Sequence, residues 1–130
     1  MTGNMSVRNL LLVGAGGFIG SVARYIVALA MPLTGTGFPF ATFTVNLLGS
    51  FLIGLISELT VSTTLVSPEA RLFLTTGFCG GFTTFSSYMH ENGALIRDGQ
   101  VLYTTLYLAG SVAGGFLALY TGMATAKLWS

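Results

Sequence analysis

Charge is scarce in this chain. Of its 130 residues only 7% are Asp, Glu, Lys or Arg, against about 25% in soluble globular proteins. So few ionic groups cannot coat a water-facing surface, which excludes a single soluble domain, and 52% hydrophobic residues exclude disorder. A net charge of +1 offers nucleic acid no electrostatic footprint. Cysteine and histidine are nearly missing too. Cys79 alone closes no intrachain disulfide, and with the lone His90 it builds no zinc site. What is present is apolar length, with a mean hydropathy of +0.79. The chain reads as a small polytopic membrane protein.

The ionic side chains Arg8, Arg24, Glu58, Glu69, Arg71, Glu91, Arg97, Asp98 and Lys127 divide the chain into apolar windows. A helix needs about 20 residues, rising about 1.5 Å each, to cross a hydrocarbon core of roughly 30 Å. Four windows meet that length if Arg24 and Glu91 lie inside them: about 9–31, ending at Pro32; 39–58, with Pro39 suited to a first helical turn; 71–97; and 100–127. Between them fall a turn from Met31 to Gly37 rich in helix breakers, a polar loop from Glu58 to Pro68, and a tight turn at Arg97-Asp98-Gly99. The expected architecture is a single all-α membrane domain of four helices and their loops, with no soluble domain attached.

Two motifs in the first window have competing readings. Arg8, the apolar run and Ala28-Leu29-Ala30 have the outline of a signal peptide, but Arg24-Tyr25 interrupts the run just before the site and glycines fill its centre. Val13-Gly14-Ala15-Gly16-Gly17-Phe18-Ile19-Gly20 has the outline of a dinucleotide-binding turn, yet no acid for the ribose occurs before Glu58. The favoured reading makes Gly16 and Gly20 a small-xxx-small face for close helix packing in lipid.

Orientation is weakly specified. With four spans Arg8, Arg71 and Lys127 share one side, and Arg97, with Arg24 near it, marks the other. So slight a bias permits insertion both ways round. Two copies inserted oppositely would have the inverted-repeat symmetry that transporters otherwise encode in one chain.

Polar groups inside the spans need a reason, since an ionisable residue there costs about 2.5–3.5 kcal/mol on insertion scales. Arg24 is either a snorkelling side chain or a cationic attractor at an ion entrance. Thr42, Asn46, Ser50 and Gly54 form a stripe on span two, and Asn46 serves either as interhelical glue or as pore lining. Tyr103, Tyr107, Ser111 and Gly115 repeat at four-residue steps on span four. In span three, Thr75-Thr76-Gly77-Phe78-Cys79-Gly80-Gly81-Phe82-Thr83-Thr84-Phe85-Ser86-Ser87 is a poor helix interior. Loose backbone at that depth survives only if buried in protein or lining a cavity, so a glycine-loosened break is expected there. Phe82 and Phe85 project from it, either as packing or with ring edges that suit an anion.

With Arg24-Tyr25, Phe40-Ala41-Thr42-Phe43-Thr44-Val45-Asn46-Leu47-Leu48-Gly49 and the span-three segment through Ser86, the chain resembles the Fluc (CrcB) family of fluoride channels over nearly its whole length. That resemblance implies a bacterial inner-membrane protein of four-helix subunits with a break in the third. It implies an antiparallel homodimer, two fluoride pores and a central structural sodium ion. Phe82, Phe85, Asn46, Thr83, Thr84, Tyr107 and Ser111 would line the path, with Arg24 in the vestibule. Gly77 and Gly80 carbonyls from both copies would hold the sodium. The chain departs from the pattern at Gly115, where the hydroxyl row of span four is expected to continue with serine. Nothing resembles a nucleotide site, so passive conduction is implied and not pumping or enzymatic chemistry. Two rivals remain on the residues alone. One is a small multidrug-type proton antiporter, which wants an embedded acid in span one; the other is a structural membrane subunit whose polar residues only hold helices together.

Overall fold

The computed structural model describes residues 6–32 and 37–129, and among these every regular element is a helix. Helix α1 spans Val7–Ala30, and the Ser6 hydroxyl caps it by accepting the Asn9 N–H at 3.1 Å. Helix α2 spans Phe40–Ser62. A short helix, α3 (Pro68–Arg71), opens with Ser67 as cap and Pro68 in the first turn, then winds directly into a π-helical stretch, Leu72–Cys79, and into α4 (Gly80–Phe82). Residues 83–85 are not helical; α5 (Ser86–Arg97) follows. Helix α6 (Val101–Ala126) ends in a 3₁₀ turn, Lys127–Trp129. Residues 33–36 of the expected Met31–Gly37 turn lie outside the described residues. Three helices, Val7–Ala30, Phe40–Ser62 and Val101–Trp129, are long and apolar enough to cross a membrane.

Pairings along the helices show how the chain runs. From α1 to the third span they climb together: Arg8 to Glu69 at 3.1 Å, Gly16 to Gly77, and Arg24 to Gly81 at 3.1 Å. The two segments are therefore parallel. Helix α2 climbs with α6 in the same way, Leu47 meeting Gly114 and Gly54 meeting Leu119. Against α2 the third span descends, with Thr42 bonded to Glu91 and Asn46 to Thr84. Alternating directions follow, as expected for four successive crossings.

Glycine sets these crossings. A Cβ on Gly16 would lie 2.9 Å from the Gly77 Cα, and one on Gly20 would lie 2.9 Å from the Phe82 nitrogen. Backbone, which cannot rotate aside, occupies both places. Gly16 and Gly20 are thus the close-packing face anticipated for the first window, and its dinucleotide-type glycines sit within one continuous helix. Gly77 and Gly81 of span three answer to the same constraint, packed on Gly16 and Gly17, whereas Gly80 is exposed and has ample room. For all three, one expectation is corrected. They do not unwind the chain. Gly77, Gly80 and Gly81 remain in wound backbone, in which the Gly80 N–H reaches both the Thr75 and Gly77 carbonyls, and the interruption falls after them.

That interruption lets one span serve two neighbours. Before it, the π-helical stretch and α4 pack on α1; after it, α5 packs on α6 and α2. Large apolar side chains point outward, among them Leu11, Phe18, Ile26, Leu106, Phe116 and Leu117, as a lipid-facing surface requires.

The prediction is specific to position. Gly20→Val should destabilise the folded protein by about 2 kcal/mol or more through overpacking. Gly14→Ala, which meets open space, should be neutral or stabilising by up to about 1 kcal/mol. Thermal unfolding of both variants in detergent micelles measures the difference.

Candidate functional site

The site grows from the break. Thr83 leaves the helix in an extended conformation (φ −86°, ψ 156°). The Thr84 N–H, which a continuing helix would give to the Gly80 carbonyl, instead goes to Asn46 Oδ1 at 2.9 Å. Asn46 Nδ2 in turn donates to the Thr84 carbonyl at 3.2 Å. One amide side chain on α2 thus satisfies both backbone groups of the residue at the middle of the break. The hydroxyls of the break finish the job. Thr83 Oγ1 donates back to the Cys79 carbonyl at 2.8 Å, and Thr84 Oγ1 accepts the Ser87 N–H at 3.2 Å, capping α5. A Cβ at Gly49 of α2 would overlap the Thr83 methyl, so that glycine admits the break against α2.

Beside the break lies a groove of about 500 Å³. Asn46, Gly49, Ser50 and Ile53 of α2 form one wall, Thr83, Thr84, Phe85 and Tyr88 the floor, and Ser111, Val112, Gly115, Phe116 and Leu119 of α6 the other wall. No ionic side chain lines it. Its polar groups are an amide and hydroxyls, and Ser111 Oγ is buried there with no hydrogen-bond partner among the described residues. A Cβ at Gly115 would stand 3.7 Å from Ser50 Oγ. At the level where span four lacks its serine, α2 therefore supplies the hydroxyl.

The other expected site residues are distributed as follows. Phe85 lines the groove and is 72% exposed, whereas Phe82 is 6% exposed and stacks on Phe78 with ring centroids 5.3 Å apart. Arg24 is half-buried, its Nε donating to the Gly81 carbonyl near the end of α4 at 3.1 Å. Gly77 is buried against Gly16, and Gly80 is exposed. Tyr107 is fully buried outside the groove, with its hydroxyl donating to Glu91 Oε1 at 2.7 Å.

Glu91 is the residue whose role sequence reasoning missed. The Thr42 hydroxyl donates to its second oxygen at 2.8 Å, so two neutral donors from α2 and α6 hold one carboxyl of α5. The signal was available: Thr42 belongs to the α2 stripe and Tyr107 to the α6 row, and an acid at that depth demands partners. Nothing in the spacing alone brings the three together.

These features define a class: a small polytopic helical membrane protein whose broken third span forms, with α2 and α6, a largely apolar groove without ionic groups, into which one amide and a few hydroxyls are set. The chain belongs to the family described as CrcB-like protein, Camphor Resistance (CrcB), whose family model matches residues 11–123. It is 72% identical over 125 residues to the fluoride-specific ion channel FluC of Chlorobaculum tepidum, covering 96% of this chain and 99% of that protein. To the protein of the same name from Chlorobium luteolum it is 70% identical over 122 residues, covering 94% of this chain and 95% of that one. The FluC of Rhizobium meliloti is 44% identical over 119 residues, covering 91% and 95%. All three are named as ion channels and not as enzymes.

Removing the Asn46 amide should leave the two part-buried backbone groups of Thr84 without partners, at about 1 kcal/mol or more for each. Asn46→Ala is therefore expected to lower stability by about 2 kcal/mol or more. Ser50→Ala, which deletes only a bond back to the Asn46 carbonyl, should change it by about 0.5 kcal/mol or less. Chemical unfolding of the two variants side by side checks the contrast.

Proposed function

We propose that the chain is a passive, fluoride-selective channel of the bacterial cytoplasmic membrane that lets fluoride leave the cell. The observation that carries this reading is the groove at the break, with neutral donors and no ionic group. Fluoride is compact and strongly hydrated, so a path must replace its water with many hydrogen-bond donors in series. It must also bind weakly enough to let the ion go. The second N–H of the Asn46 amide, the hydroxyls of Thr84 and Ser111 and the positive edge of Phe85 offer modest attraction of this kind, with Thr83 in the floor and Phe82 stacked behind it. The fluoride-specific names of the relatives support the same ion.

The working unit is an antiparallel homodimer with two pores. The groove is open along one side, and a second copy would close it against lipid. The near-balanced basic residues at the two membrane faces support dual insertion. In that unit Arg24 lies in the vestibule, Tyr107 sits behind the path, anchoring Glu91, Phe85 presents its edge to the ion, and Phe82, stacked on Phe78, backs the path. The structural sodium ion would be held by Gly77 and Gly80 carbonyls from both copies. Of the two, the Gly80 oxygen is the better supported, since Gly77 is buried against Gly16 and its carbonyl accepts the Gly80 N–H. The Gly80 carbonyl has lost its helical donor to the Asn46–Thr84 pairing, and backbone oxygens suit a hard cation.

Ion efflux from liposomes containing the purified protein tests the reading. Fluoride should leave rapidly and passively, and chloride negligibly; proton-coupled exchange of a quaternary cation, with no fluoride flux, would overturn it. Phe85→Ile and Phe82→Ile should each slow fluoride efflux at least about tenfold while leaving the dimer intact on size-exclusion chromatography. Unchanged flux in both would reduce the rings to packing.

A further inference from the structure

The polar groups of the groove do not run its whole length. Ser50 of α2 faces Gly115 of α6, and Asn46 and Ser111 lie one turn earlier on the same two parallel helices, about 6 Å back along the axis. In the other direction the walls continue as Ile53, Phe116 and Leu119, which are hydrocarbon. On α6 the four-residue row of Tyr103, Tyr107 and Ser111 reaches Gly115 and has no hydroxyl to offer there. An anion leaving the level of Asn46 and Ser111 therefore meets Ser50 as the last hydroxyl of the two walls in that direction.

Ser50 is half-buried, and its hydroxyl donates back to the Asn46 carbonyl at 2.8 Å. Within α2 that carbonyl already receives the Ser50 N–H, so the side-chain bond is a second one. Thr60, Thr104 and Thr121 rest in the same way on carbonyls one turn back, a default position for hydroxyls on helices. Ser50 differs from them in lining the groove. Thr83, on the floor at the same level, also donates back, to the Cys79 carbonyl, but its methyl lies against Gly49 and fixes the side chain. Serine has no such second branch and turns freely between rotamers. Gly115 leaves the space beside it open: a Cβ there would stand 3.7 Å from Ser50 Oγ, in ordinary contact.

We infer that Ser50 is an ion-path residue: its hydroxyl turns from the Asn46 carbonyl to fluoride in the space beside Gly115 and carries the ion past the level of Asn46 and Ser111. The inference rests on the channel reading above and adds to it the donor for the next step of the path. A strongly hydrated anion gains nothing from a turn of bare hydrocarbon, so the step needs a donor from one wall or the other. Where α6 has glycine, α2 provides it.

Fluoride efflux from liposomes tests this through a hydroxyl that is removed and then returned from the opposite helix. Ser50→Ala should slow efflux about tenfold, the order expected for one lost hydrogen bond to an anion. Ser50→Cys keeps the side chain's shape but offers only a weak donor, and should be slowed likewise. Adding Gly115→Ser to Ser50→Ala should restore most of the rate. Size-exclusion chromatography and thermal unfolding in micelles should show all three variants assembled and folded as the wild type is. Wild-type efflux from either single variant overturns the proposal, and so does a slowed Ser50→Ala that Gly115→Ser fails to rescue; both results leave the channel reading intact. Wild-type protein that releases no fluoride removes the channel reading itself.

Discussion

Everything distinctive in this molecule follows from how α2 satisfies an interrupted helix at membrane depth. Hydrocarbon offers no hydrogen bonds, so a non-helical residue in a span is tolerated only where protein groups or a water-filled cavity replace its lost partners. Asn46 does this for Thr84 through both ends of one amide, and the Thr83 and Thr84 hydroxyls cover the neighbouring backbone. A charged residue in the same place would meet one backbone group and repel the other. An amide carries donor and acceptor together without a net charge, which leaves the adjoining groove neutral.

The break then reorganises packing. An unbroken span would present one continuous face to one set of neighbours. Turning at residues 83–85, the third span lies along α1 through Gly16, Gly20, Gly77 and Gly81, and then along α6 through Tyr88 and Leu95. The Tyr88 hydroxyl donates to the Leu108 carbonyl at 3.0 Å, and the Tyr88 and Tyr107 rings meet edge-on with centroids 4.8 Å apart. The core of the subunit is accordingly small and aromatic, and most of its apolar surface faces outward. In lipid this is consistent, because helix association there rests on close packing and interhelical hydrogen bonds more than on expelling water.

Much of the fold was legible before any coordinates. The apolar windows, their separators and the small-residue face of the first helix rest on composition and period, which are local properties. The break in span three was legible within residues 75–87 but not to the residue, falling at 83–85. Its glycines drew attention to residues 77–81, yet glycine in a membrane span serves two ends, loosening the backbone or admitting another backbone closely. Only the proximity of Gly16 and Gly20 shows that the second applies. Among site residues, Phe82 and Phe85 look equivalent in sequence and are not: one is stacked inside, the other lines the groove. Tyr107 and Ser111 share a helical row, but the hydroxyl of one is bonded and that of the other is not.

By itself the amino-acid sequence determined that the chain is an all-helical membrane protein with a disrupted third span, because charge scarcity and apolar length depend on no contact between distant residues. Tertiary structure alone decided where the disruption falls, which side chain supports it, and which hydroxyls stay free. Those outcomes depend on pairs far apart in the chain, such as Asn46 with Thr84 and Thr42 with Glu91. Hydrogen-bond partnership is a property of the folded arrangement, and no spacing along one helix encodes it.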